Sequence, residues 1–326
     1  SLHDSEYDCD RHLLTRLLEY MERDEWYRTE EGYAKINEAL DYLLRSSDKN
    51  GVRWSAYLLQ MADYIDICWE VGSVVGAGRG SGVGFCLLHM LGITQINPMR
   101  ETTKTYPARF VNPDRASVLD IDTDINPIYR DAIIERMKEV YGADRVSKVL
   151  TVQSEKSRSA IQTSGRALGY DNDYTAYLAS LVVFDRGNPR SLHTMYYGND
   201  EYAPVPEFVR EMDNNPELWR VAQKIEGLVC RVGEHAGGVI FVDEPFVNST
   251  ALLKVPNGDV VTQFDLHDAE DASLIKMDLL SVECLDKIHN CINLICEYNY
   301  HNSSDYPNIR PDNVLQLLRV QILSDS

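Results

Sequence analysis

The sequence predicts a mixed α/β chain of roughly two domains, and three observations carry that prediction. Apolar residues recur at helical spacing early in the chain, beginning with Leu13, Leu14, Leu17, Leu18 and Met21. Two later segments, 117–125 and 273–280, alternate with period two instead, as strands do. A length of 326 residues buries a large core and corresponds to about two domains.

Composition narrows the class. Hydrophobic content of 44% and 19 tyrosines argue against disorder. No apolar run approaches a membrane span and no signal peptide opens the chain, so no membrane is expected. The seven cysteines are odd in number, scattered and free of any Cys-x-x-Cys, which fits reduced thiols in a cytoplasmic compartment. The chain opens on Ser, and it is expected to be either trimmed from a longer protein or naturally split. Its formal charge of −19 would repel DNA, yet residues 100–166 hold 12 basic against 10 acidic residues. Any grip on nucleic acid is therefore local or supplied by other parts.

Taken in order, residues 8–48 read as helix, closed by the turn Asp48-Lys49-Asn50-Gly51. A second helix from Trp54 to Val71 puts Tyr57, Leu58, Met61, Ile65 and Cys68 on one side. Then comes Val74-Val75-Gly76-Ala77-Gly78-Arg79-Gly80-Ser81-Gly82, a β-branched run entering a glycine loop, followed by an apolar helix from Cys86. Amides bared by glycine bind phosphate, and Arg79 and Ser81 add a guanidinium and a hydroxyl. The loop is neither a dinucleotide fingerprint nor a Walker loop, because neither glycine spacing nor a Gly-Lys-Ser/Thr is present.

The loop 98–113, with Arg100, Lys104 and Arg109, leads to Asp120-Ile121-Asp122-Thr123-Asp124-Ile125. On a strand the three acids share a face. Such a triplet is either the solvated face of an edge strand or, since the acids repel one another unless a cation sits among them, a site whose all-oxygen ligands suit Mg²⁺ or Mn²⁺. A helix follows from Pro127 to Tyr141, a β-rich run from Val146 to Val152, and a polar helix from Ser154 to Leu168. That helix carries Lys156, Arg158 and Arg166, a surface suited to a phosphate backbone. Residues 171–232 read as largely helical, with the last helix running from Asn215 to Arg231. His235-Ala236-Gly237-Gly238 reads as a turn before the strand Val239–Val242, and Val260–Asp265 as another strand. On the final strand Lys276 and Asp278 share a face, and a helix from Cys284 to Tyr298 follows.

Four of these stretches, in order, resemble the bacterial C-family replicative DNA polymerases, the alpha subunit of DNA polymerase III. They are Val75 to Gly82, Arg109 to Asp124, Gly233 to Val239 and Val261 to Leu280. The resemblance implies a nucleotidyltransferase-like palm with a mixed β-sheet, a helical thumb inserted in it and a helical N-terminal segment. It divides the chain into palm (1–151), thumb (152–232), palm again (233–283) and the start of the fingers (284–326). It implies Asp120, Asp122 and Asp278 as catalytic ligands of two Mg²⁺ or Mn²⁺ ions, with Asp124 in support. Gly78, Arg79, Gly80, Ser81 and Lys276 would hold phosphates of a deoxynucleoside triphosphate, and Lys156, Arg158 and Arg166 the primer–template DNA. The fingers body, the C-terminal domains and any sliding clamp would come from outside this chain, in a bacterial cell or a phage-infected host. The sequence departs from the family where Leu119 replaces a proline, where Phe85 stands at a position commonly Ser, and at Ser281-Val282-Glu283. A non-catalytic module and a template-independent nucleotidyltransferase are the alternatives.

Overall fold

The computed structural model describes residues 2–99, 106–114, 121–248, 250–272 and 274–302. Asp120 therefore lies outside the described residues, as do Arg100, Lys104, Arg115 and the apolar stretch 314–323. In chain order the helices and strands begin with α1 (Asp8–Arg23), α2 (Glu30–Asn50), α3 (Trp54–Glu70), α4 (Cys86–Met90), β1 (Asp122–Ile125), α5 (Arg130–Tyr141) and β2 (Val146–Ser154). Next come α6 (Ser157–Ala167), α7 (Asn172–Ser180), β3 (Phe184–Asp185), β4 (Asn188–Pro189), α8 (Leu192–Tyr197), α9 (Pro206–Asn214) and α10 (Pro216–Ile225). The order closes with β5 (Val229–Phe241), β6 (Leu252–Lys254), β7 (Val260–Thr262), α11 (Leu266–Asp271), β8 (Ile275–Ser281) and α12 (Glu283–Asn302). Helix and sheet are thus mixed, as the sequence predicts.

The chain divides into two compact units. The first comprises residues 1–148, 236–251 and 269–326, and the second 149–235 and 252–268. Strands β2 and β5 each cross from one unit to the other along the chain.

In the first unit the single helix expected over residues 8–48 is two. Asp24 ends α1 and its side chain accepts from the Trp26 N–H, opening the 3₁₀ turn Glu25–Arg28. That turn buries Tyr27 completely, and its hydroxyl donates to Asn97 Oδ1 at 3.0 Å. Thr29 then caps α2 by accepting from Gly32 N–H at 3.1 Å. Gly32 is required by space rather than by conformation. A Cβ there would sit 2.5 Å from Trp26 O and 2.7 Å from Tyr27 Cα, both backbone atoms. Gly32→Ala is expected to destabilise the chain by about 2 kcal/mol in chemical denaturation, although alanine is the better helix former by about 1 kcal/mol.

Helix α3 forms the centre of this unit. Twelve of its 17 residues are buried, so it is enclosed by neighbours instead of lying on the surface with one apolar stripe. It packs against α1, α2 and α5. Its core partners include Leu13, Leu17, Ile36, Ala39 and Leu43. The unit's strands follow the order β1-β8-β5. Strands β1 and β8 are parallel, and β8 and β5 antiparallel, so this sheet is mixed.

The second unit has its own core, built around Ile161, Leu178, Leu192, Phe208 and Leu218 from α6 to α10. Its strands follow β5-β2-β7-β6, with β3 and β4 forming a separate hairpin. Helix α10 stops at Ile225, short of the expected Arg231, because Glu226 leaves helical geometry and residues 229 onward are strand. The His235–Gly238 segment, expected as a turn, is the middle of β5. All cysteines whose state is described are free thiols. Among the described residues no helix is long and apolar enough to cross a membrane.

Candidate active site

Strand β1 alternates as its sequence demands. Thr123 (4% exposed) and Ile125 (0%) face the core, and Asp122 and Asp124 face outward. Strand β8 does the same, burying Met277 and Leu279 while Lys276 and Asp278 occupy the other face. The parallel register pairs Asp122 with Asp278, so two acids 156 positions apart in sequence become direct neighbours across the sheet. On the far side of β8 the antiparallel register sets Gly238 opposite Asp278. Gly238 is buried there and brings no side chain of its own to the pair. The neighbouring Gly237 is also tight, with a Cβ placed there lying 3.2 Å from Leu279 O. Gly237 therefore admits the close approach of β8.

The glycine loop meets β1 from the other side. Val75 forms a bridge with Ile125, and the Gly76 N–H donates to Asp124 O at 2.9 Å. The expected strand before the loop is reduced to that bridge. A Cβ at Gly76 would lie 2.8 Å from Asp124 Cβ, so only glycine allows this approach. The loop then turns through Gly78 (φ +125°) and Gly80 (φ +67°), both in the left-handed region that glycine adopts without strain. Between them the exposed Arg79 reaches back to the acids, with Nη1 3.0 Å from Asp124 Oδ1 and Nε 3.7 Å from Asp122 Oδ2. Gly80 and Ser81 are exposed beside it. Phe85, at the position commonly Ser in the resembling family, is fully buried and packs on Phe110 with ring centroids 5.3 Å apart. It belongs to the core and holds the loop's end in place.

Lys276 Nζ lies 2.8 Å from Asp278 Oδ2, and both side chains are only 11% exposed. Each candidate metal-binding carboxylate among the described residues thus faces a protein cation. Behind β1, burial pushes the Tyr64 hydroxyl well above the ordinary tyrosine range, reinforced by Cys68 and, more weakly, by the Asp278 charge. The Tyr64 hydroxyl is fully buried beneath Thr123 and stays protonated. After the strand, the Asn126 N–H donates to Ser73 Oγ at 3.1 Å, and the Asn126 side chain lies against His289 of α12, which stacks on Tyr129. These contacts fix the end of β1.

Among the described residues no three His, Cys, Asp or Glu side chains are grouped closely enough to hold a metal ion. Asp120 is outside that set. The donor chemistry nonetheless fits a hard divalent cation. Asp122 and Asp278 offer only carboxylate oxygens, stand in register, and are each accompanied by a positive group. Lys156, Arg158 and Arg166 belong to the second unit and are all exposed. Lys156 is the residue before α6, and Arg158 and Arg166 lie on it, with Arg166 Nη2 donating to Thr163 Oγ1 at 3.1 Å.

Sequence reading alone misses three contributors: Gly76, Gly238 and the pairing of Arg79 with the acids. The glycines carry a signal only as members of glycine-rich runs, and the pairing has none.

The family model of the bacterial DNA polymerase III alpha NTPase domain matches residues 13–281. A probable DNA polymerase YorL of Bacillus subtilis and a DNA-directed DNA polymerase of Bacillus phage SPbeta are each 37% identical over 271 residues, 81% of this chain and 21% of theirs. A DNA polymerase III subunit alpha of Thermus aquaticus is 34% identical over 232 residues, 70% of this chain and 18% of that protein. The chain therefore spans about a fifth of the length of these relatives. With the matched region running from α1 through the whole of β8, the chain belongs to the bacterial DNA polymerase III alpha family, in its NTPase domain.

Proposed function

We propose that this chain is the catalytic core of a template-directed DNA polymerase, adding deoxynucleotides to a primer 3′-hydroxyl by two-metal-ion nucleotidyl transfer. The observation that carries the reading is the register of Asp122 against Asp278 beneath the Arg79 loop. Residues 1–151 and 233–283 would be the palm, 152–232 the thumb, and 284–326 the start of the fingers. The rest of the fingers, the C-terminal domains or a second subunit, and a sliding clamp bound through them, would complete the enzyme in the cytoplasm.

Asp122 and Asp278, joined by Asp120 and supported by Asp124, would hold Mg²⁺ or Mn²⁺. Bound there, the two ions would favour ionisation of the primer hydroxyl and neutralise the departing pyrophosphate. Phosphoryl transfer otherwise asks for positioning and charge compensation, which the protein groups supply. The backbone amides around Gly78 and Gly80, with the hydroxyl of the exposed Ser81, would cradle the triphosphate. Lys276, 2.8 Å from Asp278 Oδ2, would hold that carboxylate in place while adding positive charge beside the phosphates.

Lys156, Arg158 and Arg166 would grip the primer–template backbone without reading its sequence. Replacing all three by Gln is expected to lower DNA affinity at least about tenfold and to flatten the salt dependence by roughly 0.9 per lost phosphate contact. Fluorescence anisotropy of a labelled primer–template across a salt series measures both. Nucleotide incorporation that persists unchanged without any template would instead support the template-independent reading.

A further inference from the structure

We infer that Arg79 is a positioning residue with two alternative anionic partners, the Asp122–Asp124 pair and the triphosphate of an incoming nucleotide. The inference rests on the reading that Asp122 binds a divalent cation.

The geometry gives Arg79 both a dock and the freedom to leave it. Its guanidinium reaches two carboxylates at once, at 3.0 Å and 3.7 Å, yet its side chain is 46% exposed. Its own backbone is extended (φ −145°, ψ 167°), and it stands between two glycines of positive φ. Nothing lies within 4 Å of the position a Cβ would take at Gly80, so the backbone next to the arginine is uncrowded. The root of the loop is fixed by contrast, through the Gly76–Asp124 hydrogen bond of 2.9 Å and the Val75–Ile125 bridge. A fixed root and a glycine-flanked tip make a short arm that can be re-aimed at little conformational cost.

Charge decides which partner the arm takes. Asp122 and Asp124 share a strand face two residues apart and repel each other, and the guanidinium relieves that repulsion. A divalent cation on Asp122 relieves it better and repels the guanidinium. Arg79 and the cation therefore compete for Asp122. A triphosphate offers the released guanidinium a bidentate partner of higher charge. Metal and nucleotide binding are then coupled through one side chain, and the coupling is reciprocal. Asp124 takes the part of the dock, since the closer of the two contacts is to its Oδ1.

The test is a Mn²⁺ titration of the chain without nucleotide, read as loss of the free-ion paramagnetic resonance signal, with Arg79→Gln, Arg79→Lys and Asp122→Asn in parallel. Removing the competing charge should tighten Mn²⁺ binding up to about fivefold, the most an exposed ion pair supplies. Arg79→Lys keeps the charge and should stay within about twofold of the unaltered chain. A merely structural arginine would show no such split between Gln and Lys. In a second titration, with a fluorescent deoxynucleoside triphosphate at saturating Mn²⁺, Arg79→Gln should weaken binding about fivefold. Unchanged or weaker Mn²⁺ binding by Arg79→Gln overturns the inference, as does unchanged triphosphate binding. Asp122→Asn should weaken Mn²⁺ binding at least about tenfold. If it does not, the metal-site reading itself fails, whatever the arginine variants do.

Discussion

Asp122→Asn is expected to lower primer extension by about 10³-fold or more while leaving thermal stability nearly unchanged, and Asp278→Asn to lower both. The difference comes from surroundings. Asp122 is 35% exposed and its cation, Arg79, keeps Asp124 as the nearer partner. Neutralising Asp122 removes a weak, solvent-screened attraction together with a carboxylate–carboxylate repulsion, and the two nearly cancel. Asp278 is 11% exposed with Lys276 Nζ at 2.8 Å, and Lys276 is equally enclosed. Asparagine there still offers a carbonyl oxygen but no charge, so the cost is about 1–3 kcal/mol, below the 3–5 kcal/mol of a fully buried broken pair. Primer extension by a polymerase preparation containing this chain and a thermal melt of each variant check the two halves. Full extension by either variant would remove that acid from the mechanism.

Gly76→Val should have the second largest effect. The φ of Gly76 is not positive, so conformational strain plays no part and the cost is set by space alone. The new Cβ would fall 2.8 Å from Asp124 Cβ, an atom fixed to the strand and unable to swing aside like the end of a long side chain. Either the Gly76–Asp124 hydrogen bond of 2.9 Å opens or β1 shifts. Overpacking of this kind costs about 1–3 kcal/mol. A displacement of the acids by about 1 Å is expected to cost up to about 10²-fold in rate. Chemical denaturation and primer extension measure the two effects, and Gly76→Ala should show a smaller version of both. A Val variant as stable and active as the original would mean that the loop's approach to β1 is looser than the geometry describes.

Much of this site is legible in the sequence because local alternation dictates it. Aspartates at i and i+2 must share a strand face, and so must Lys276 and Asp278. The helices α1 to α3 are legible for the same kind of reason, their apolar residues recurring at 3.6-residue spacing. What escapes is whatever depends on distant partners. The break between α1 and α2 carries only short capping residues, Asp24 and Thr29, inside a continuing helical pattern, and it is secured by Tyr27 bonding Asn97 seventy positions away. The 13-residue strand β5 passes through His235–Gly238, where small residues read as a turn until β8 is there to pair with. Phe85 reads as a lost phosphate donor until Phe110 and the core are placed around it. The Arg79 pairing spans 45 positions and follows from the loop's path, which two left-handed glycines and the space at Gly76 determine together.

The central claim is that Asp122 and Asp278 jointly bind the divalent cations of a nucleotidyl-transfer site, and anomalous diffraction tests it most directly. Crystals soaked in Mn²⁺ with a non-hydrolysable deoxynucleoside triphosphate should show Mn²⁺ coordinated by oxygens of both Asp122 and Asp278, with the triphosphate against Gly80 and Ser81. Mn²⁺ bound elsewhere on the chain, with Asp278 taking no part, would contradict it.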